Sequence, residues 1–173
     1  MYIHTQQPAK PCRHTACQCE LCDTVTRWPE MPAITPVRDR ANTWTVDCHW
    51  VSPLYDNCGV MMHRGFMTDG ASIPRIAWRV IGHPMCTDIL PFALGHDGLY
   101  AAELLTRKEC DEWFLQTMAA NGICWAKRNA MWSAVRTFGG YVWSKHTTAS
   151  IEASRKMCNL VFGNLGTDAP KTI

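Results

Sequence analysis

A histidine and an aspartate in two neighbouring segments have the residue types and spacing of a general base. His96 lies in GHDGLY, residues 95–100, and Asp111 lies in ECDEWF, residues 109–114. If two antiparallel helices joined by a short turn carry these segments, the two side chains face each other within hydrogen-bond reach. Neutral imidazole, with a pKa of about 6.5, accepts a proton at neutral pH, and a carboxylate fixes its tautomer. The pair therefore predicts a site that activates water.

Three further side chains are candidates beside this pair. Asp97 follows His96 but points about 100° away around a helix, so it can bind a hard cation such as calcium. Tyr100 lies one turn after His96, on the same face, and is predicted to hydrogen-bond Asp111. Asp69 can turn its carboxylate towards the His96 helix, or it can accept backbone hydrogen bonds in a strand-to-helix turn, and the turn is favoured.

The same spacing also fits a site without chemistry. A histidine, an aspartate and a tyrosine between two helices are equally typical of a buried polar network that fixes helix register. The catalytic interpretation predicts a cleft that is open at His96, with the ring near Asp111. A His96 enclosed on every side by apolar atoms would favour the structural network.

A cluster of cysteines near the start of the chain is the candidate metal site. Cys12, Cys17, Cys19 and Cys22 have the spacing C-x4-C-x-C-x2-C, and His14 lies among them. Four thiolates, or three thiolates with the imidazole, can close a tetrahedral structural zinc site. Such a site would hold a segment that has no core of its own. Disulfides formed after lysis and free thiols are the alternatives.

Composition limits the class of protein. The chain has 173 residues, of which 47% are hydrophobic, enough for one domain with a real core. Lys plus Arg number 17 against 15 Asp plus Glu, without a basic run, so direct readout of nucleic acid is not expected. No apolar stretch approaches the roughly 20 residues that span a bilayer. The eight tryptophans favour a packed core or a partner interface.

The first third of the chain predicts an arm followed by a small sheet. Residues 1 to about 40 are rich in Cys, Pro and polar residues and show neither helical nor strand periodicity, which predicts an irregular arm. Alternation of Trp44, Val46 and Cys48 with polar residues predicts a half-buried strand. Residues 58–67 are its predicted antiparallel partner, with turn residues between the two strands.

Helical signals dominate after Thr68. Helices are predicted over residues 73–81 and about 88–102, then from the capping box of Thr106 and Glu109 to Asn121, and finally up to Gly139. A short helix and a loose tail complete the chain. The predicted fold is α+β: an arm (1–40), a core domain (41–145) with a small antiparallel β-sheet and a three- to four-helix bundle, and a C-terminal helix and tail (146–173).

Four motifs in one order resemble domain-of-unknown-function family 1353 (DUF1353), found in bacteriophages and prophages. They are F-x-T-D-x-A-S-I-P-R from residue 66, H-D-x-L-Y from 96, R-x-x-x-D-x-x-F from 107 and M-x-x-A-V-R-x-F-G from 131. The resemblance covers about residues 58–143 and implies a phage origin rather than a particular reaction.

A local likeness to the phospholipase A2 helices is carried by H-D-x-x-Y followed by D-x-x-F. It implies that His96 activates water, Asp111 orients His96, Asp97 holds calcium and Tyr100 supports Asp111. The segment before His96 has no G-x-G, whereas those enzymes bind calcium with carbonyls of a glycine-rich loop.

Two functions follow as hypotheses. The first is a virion- or tail-associated phage protein, made in the bacterial cytoplasm, whose arm and Trp-rich surface dock onto other phage structural proteins in an oligomeric assembly. The second is a small hydrolase in which His96 and Asp111 activate water against a lipid or cell-envelope ester or amide.

Overall fold

The computed structural model describes residues 25–68 and 88–162 of the chain. These two ranges form seven short strands and four helices. In chain order they are β1 Val25–Arg27, β2 Ile34–Pro36, β3 Trp44–Val46, β4 His49–Val51, β5 Cys58–Met62, β6 Met67–Thr68, α1 Leu90–Ala101, α2 Arg107–Ala120, α3 Trp125–Trp143, α4 Thr148–Arg155 and β7 Cys158–Phe162.

The strands form two small sheets. One has the order β1-β4-β5-β7 and the other the order β2-β3-β6. All pairs are antiparallel except β1 with β4. The α+β class predicted from the sequence is therefore confirmed, with two sheets where one was expected.

The predicted strand around Trp44 is in fact two strands. The chain leaves one sheet after Val46 and enters the other at His49, so β3 and β4 pair with different partners. The prediction of a single strand was wrong because two residues of irregular backbone, Asp47 and Cys48, interrupt an otherwise regular alternation. The antiparallel partners were predicted correctly: β5 pairs with β4, and β6 pairs with β3.

A tight turn sets the register of β4 and β5. Asp56 and Asn57 both have positive φ, 50° and 56°, and Tyr55 pairs with Cys58 across them. Asn and Asp tolerate this left-handed conformation better than other residues with side chains. The turn chemistry expected in this segment is therefore confirmed.

Helix α1 is the centre of the molecule. Every residue from Leu90 to Tyr100 is buried, and the helix packs against β5, α2 and α4. A helix that is covered on all sides shows no amphipathic stripe, which explains why its sequence is apolar around most of its circumference. Any polar side chain on α1 is consequently inside the protein and needs a partner there.

Helix α2 begins as the sequence predicts. Thr106 accepts a hydrogen bond from the Glu109 backbone, and the Glu109 side chain accepts one from the Thr106 backbone. This reciprocal capping box satisfies two otherwise unpaired amides at the start of the helix. The predicted apolar face is buried as expected and consists of Cys110, Trp113, Phe114, Thr117 and Met118.

Helix α3 runs further than predicted. The sequence placed its end at Gly139 and Gly140, whereas the helix continues to Trp143. A Cβ atom at Gly139 would lie 2.4 Å from Tyr100 Oη. The glycine therefore permits close packing against α1 rather than ending the helix.

Two other parts of the sequence prediction need correction. Residues 25–40 were expected to be irregular, but β1 and β2 lie there. The segment after α4 was expected to be a loose tail, but β7 pairs with β5 over five residues. These three strands were missed because a three-residue or edge strand carries little periodicity.

Some predicted elements lie outside the described residues, namely most of the arm and the helix over 73–81. Within the described ranges, no helix combines the length and the apolar character needed to cross a bilayer.

Candidate functional site

The predicted contact between His96 and Asp111 is present. His96 on α1 and Asp111 on α2 lie with Nε2 and Oδ1 2.9 Å apart. A carboxylate can only accept, so the Nε2–H of His96 donates this hydrogen bond, and in a neutral ring Nδ1 carries the lone pair. The first requirement of the His-Asp hypothesis is therefore met.

A glycine next to the histidine brings the two helices together. A Cβ atom at Gly95 would lie 2.4 Å from Trp113 Cη2. Only a residue without a side chain lets the α2 tryptophan pack so closely on α1. The Trp113 indole also donates to the Cys58 carbonyl at 3.0 Å, which ties α2 to β5. Close helix packing therefore explains the glycine before His96, whatever the chemical role of the histidine.

Asp111 is the hub of a larger network. Its Oδ2 accepts a hydrogen bond from Arg136 Nη1 on α3 at 2.7 Å, and Arg107 Nη1 lies 3.8 Å away. Arg107 also donates to the Arg136 carbonyl at 3.2 Å. One buried carboxylate therefore joins α1, α2 and α3, and its charge faces two guanidinium groups.

The two arginines were not among the candidate site residues of the sequence analysis. The i,i+4 spacing of Arg107 and Asp111 was a usable signal, because such pairs share a helix face. Arg136 belongs to a separate helix and its spacing to Asp111 carries no signal. Both arginines nevertheless fall within the motifs that carried the family resemblance.

Two aromatic rings enclose the imidazole. Ring centroids of Tyr100 and Phe114 lie 4.7 Å and 5.0 Å from that of His96, both tilted. His96 is 1% exposed and Asp111 is fully buried. Nδ1 of His96 is also buried and has no hydrogen-bond partner in the described part of the chain. In the part of the chain that the structure describes, His96 does not border an open cleft, whereas the catalytic hypothesis predicts that it would.

Tyr100 takes a different place from the one predicted. Its hydroxyl is buried against Gly139, with no hydrogen-bond partner among the residues that the structure describes, so the expected bond to Asp111 is not made. Burial raises the pKa of the Tyr100 hydroxyl; the nearby Arg107 offsets part of this rise, and the Asp111 charge adds to it. Tyr100 therefore acts on His96 through ring packing and not by hydrogen bonding.

Asp97 faces away from His96, as its position on the helix predicts. It accepts a short hydrogen bond from the Thr68 hydroxyl and is 8% exposed. It borders a cleft of about 270 Å³. The cleft is lined by Thr43, Phe66, Met67, Thr68, Asp97, Tyr100, Ala101, Val142 and His146.

Calcium needs six to eight oxygen ligands, and Asp97 is the one carboxylate among the described lining residues. Asp69, the other residue predicted for this role, lies outside the described residues, so calcium binding stays a prediction.

A second histidine–carboxylate pair lies beside this cleft and was missed from the sequence. His146 Nδ1 is 2.9 Å from Glu103 Oε1, and the two side chains are 15% and 25% exposed. The imidazole packs edge-on near Tyr100 and against Trp143. His146 follows α3 and Glu103 follows α1, and a separation of 43 residues gives no local signal. This pair is closer to solvent than the predicted one.

Several predicted site residues lie outside the described ranges. They are Cys12, His14, Cys17, Cys19, Cys22 and Asp69. The zinc site and the role of Asp69 therefore stay predictions. Within residues 25–68 and 88–162, no group of three or more His, Cys, Asp and Glu side chains is arranged to hold a metal ion.

Comparison with known proteins identifies the family. The sequence model of one family, described as "Protein of unknown function (DUF1353)", matches residues 44–135, more than half of the chain. The chain belongs to the DUF1353 family. It is also similar to "Uncharacterized protein y4jT" of Sinorhizobium fredii (strain NBRC 101917 / NGR234), at 36% identity over 75 residues. That match covers 43% of this chain and 22% of the relative, so the chain spans a small part of its length. No solved structure matches.

The DUF1353 motifs meet at the buried network. The motif from residue 96 supplies His96, the motif from 107 supplies Arg107 and Asp111, and the motif from 131 supplies Arg136 and Gly139. The last two residues lie just beyond the matched range. In this chain, three motifs that are separate in sequence thus form one continuous set of contacts.

Proposed function

We propose that this DUF1353 protein is a bacteriophage virion- or tail-associated protein that binds neighbouring subunits, and that its His96–Asp111 network is structural. One contrast in exposure carries the proposal. His96 is 1% exposed, whereas the aromatic side chains of Trp125, Tyr141 and Phe162 are 70%, 71% and 71% exposed. The predicted His96–Asp111 pair is inside the protein, whereas aromatic groups suited to recognition are outside.

The buried network stabilises the arrangement of three helices. Asp111 receives hydrogen bonds from α1 and α3 while belonging to α2. Removing one member of a buried ion pair leaves the other charge without compensation, at a cost of about 3–5 kcal/mol. A set of contacts of this kind fixes helix register, which a protein built into an assembly requires.

The exposed aromatics support binding to another protein. Tryptophan and tyrosine are enriched at protein interfaces, and they dominate the binding energy there. Tyr141 lies on α3 one turn beyond Phe138, which is 44% exposed, and Lys145 lies over the Tyr141 ring at 5.1 Å. An aromatic face edged by a cation is the type of surface that a protein partner covers.

The proposal that binding takes place in the virus particle rests on the resemblance of the four sequence motifs to a protein family found in bacteriophages and prophages. On this proposal the protein is made in the host cytoplasm and enters the particle with other phage structural proteins. Neither nucleic acid nor a bilayer is part of the proposal.

Particle association is the direct test. Tagged wild-type protein and a Trp125→Ser/Tyr141→Ser variant are expressed during phage production, and particles are purified on a density gradient. We expect the wild type to sediment with particles and the recovery of the variant to fall at least about tenfold, because loss of one hot-spot aromatic costs about 2 kcal/mol or more. Ser133→Ala, also exposed on α3, is the matched control. Absence of the wild-type protein from particles, or equal recovery of the aromatic variant, would contradict the proposal.

The hydrolase alternative is favoured by one observation, the 2.9 Å bond that orients His96 towards Asp111. In that role the imidazole takes a proton from water through Nδ1, so substrate and water must reach an atom that is buried in the structure. An ester hydrolysis assay of His96→Ala and Asp111→Asn tests it. Loss of activity with an unchanged thermal midpoint would support catalysis, and no activity in the wild type would refute it.

A further inference from the structure

Two histidines face each other across the β4–β5 hairpin. β4 pairs with β5 in the register Val51 with Met61 and Trp50 with Met62. One further step places His49 directly opposite His63. Their Nδ1 atoms are 3.0 Å apart, and the rings meet edge to face with centroids 5.0 Å apart. Both side chains are half-buried, so solvent reaches this end of the sheet.

Asn159 on the neighbouring strand β7 fixes the orientation of one ring. Its amide Nδ2 donates to the Leu160 carbonyl at 3.4 Å, which leaves Oδ1 as an acceptor. Oδ1 lies 2.9 Å from His63 Nε2, so that nitrogen donates and His63 Nδ1 carries a lone pair. The lone pair is aimed at His49 Nδ1.

The separation of the two Nδ1 atoms also suits a two-histidine chelate. In metal sites an imidazole usually donates its second N–H to an oxygen, which fixes the tautomer and raises the basicity of the ligand nitrogen. Here His63 Nε2–H donates to Asn159 Oδ1 in the same way. Two nitrogens bound to one zinc ion at about 2.0–2.1 Å lie about 2.9–3.4 Å apart for bond angles of about 90–110°. The observed 3.0 Å separation of the two Nδ1 atoms falls within that range.

We propose that His49 and His63 bind a borderline divalent metal ion such as Zn²⁺ through their Nδ1 atoms, with water in the remaining positions. Imidazole nitrogen is a ligand that suits zinc, copper and nickel better than magnesium or calcium. Without metal, His49 Nδ1–H donates to His63 Nδ1. Metal binding takes the place of this hydrogen bond: the His49 proton moves to Nε2, and the two rings turn so that both Nδ1 lone pairs converge on the ion. His49 begins β4 and His63 follows β5, whereas the His96 network lies on α1, α2 and α3.

The proposal is tested by comparing how much zinc the full-length wild type and its histidine variants bind. Zinc stoichiometry is measured by calorimetry on the wild type, His49→Gln and His63→Gln, with ZnCl₂ as the sole ligand. We expect the wild type to bind one equivalent more than either variant. His146→Gln is the matched control because His146 is also half-buried and bonded through Nδ1, but to a carboxylate. It should bind as much zinc as the wild type.

Two further measurements distinguish zinc binding at His49 and His63 from zinc binding at the cysteines and from a loss of folding in the variants. The imidazole ¹H–¹⁵N signals of His49 and His63 should shift on adding zinc to the wild type, and Asn159→Ala should weaken that site about tenfold through loss of its supporting oxygen. Thermal midpoints without metal show whether each variant folds. The same zinc stoichiometry in the wild type and both glutamine variants, or histidine signals unmoved by zinc, would overturn the proposal.

Discussion

The contact between Gly139 and Tyr100 makes a sharp test of how the helices pack. Gly139→Ala adds a methyl group 2.4 Å from Tyr100 Oη, a distance that packed atoms do not adopt. Overpacking of this kind costs about 1–3 kcal/mol. An alanine in a helix interior is favoured over glycine by about 1 kcal/mol, which opposes this cost. We therefore expect a loss of about 0–2 kcal/mol in the free energy of unfolding.

Removing the tyrosine oxygen should relieve the overlap with the new methyl group. In Tyr100→Phe the nearest remaining ring atom to the new methyl group is Cζ, at 3.3 Å. The hydroxyl makes no hydrogen bond of normal geometry among the described residues, although the Arg107 side chain interacts with it, so its loss should cost about 1 kcal/mol or less. Gly139→Ala should therefore be more favourable in this background than in the wild type by about 1–3 kcal/mol, the cost of the overpacking that is relieved.

Urea denaturation of the four proteins of this cycle, followed by tryptophan fluorescence, measures the coupling between the two sites. We expect a coupling of about 1–3 kcal/mol, above the 0.3–0.5 kcal/mol within which independent sites add. Equal slopes of the unfolding transitions verify that the same surface is exposed in each case. Additive effects would refute the close approach of α3 to α1.

Two other predictions concern helix capping and buried thiols. Thr106→Ala removes the cap of α2 and should lower the free energy of unfolding by about 1 kcal/mol. Thermal denaturation measures this loss, with Thr137→Ala on the exposed face of α3 as the control. An unchanged thermal midpoint of Thr106→Ala would count against the cap. Burial is the main cause that raises the pKa of both Cys110 and Cys158 from 9.0 to about 12. The unfolded chain therefore loses these protons first, so stability is complete below pH 9 and falls above it by about 1.4 kcal/mol per pH unit for each thiol. Urea titrations between pH 8 and 10.5 should show a shallower fall for Cys158→Ala, and parallel curves would contradict this.

Local signals in the sequence predicted helices α1 and α2 and one contact well. The capping box of Thr106 and the apolar spacing of α2 depend on residues within one or two turns, and both are confirmed. The meeting of His96 with Asp111 was predictable because they lie on consecutive helices joined by a short connection. Antiparallel neighbours of this kind leave few alternative arrangements.

The features that were missed depend on contacts between distant segments. Arg136 approaches Asp111 from a third helix, and His146 reaches Glu103 after the chain has turned twice. The packing role of Gly139 within α3 involves a tyrosine 39 positions earlier. Burial of His96 is also set by tertiary packing, since its spacing fits a catalytic base and a structural residue equally.

The stability of Asp111→Ala tests the structural role of the buried network most directly. Asp111 is fully buried and Arg136 keeps 31% exposure, so we expect the low end of the range for a broken buried pair, about 3 kcal/mol, in urea denaturation. Glu112→Ala, exposed on the same helix, should change the free energy of unfolding by less than about 0.5 kcal/mol. An Asp111→Ala protein as stable as the wild type would contradict the structural account and return the pair to the catalytic hypothesis.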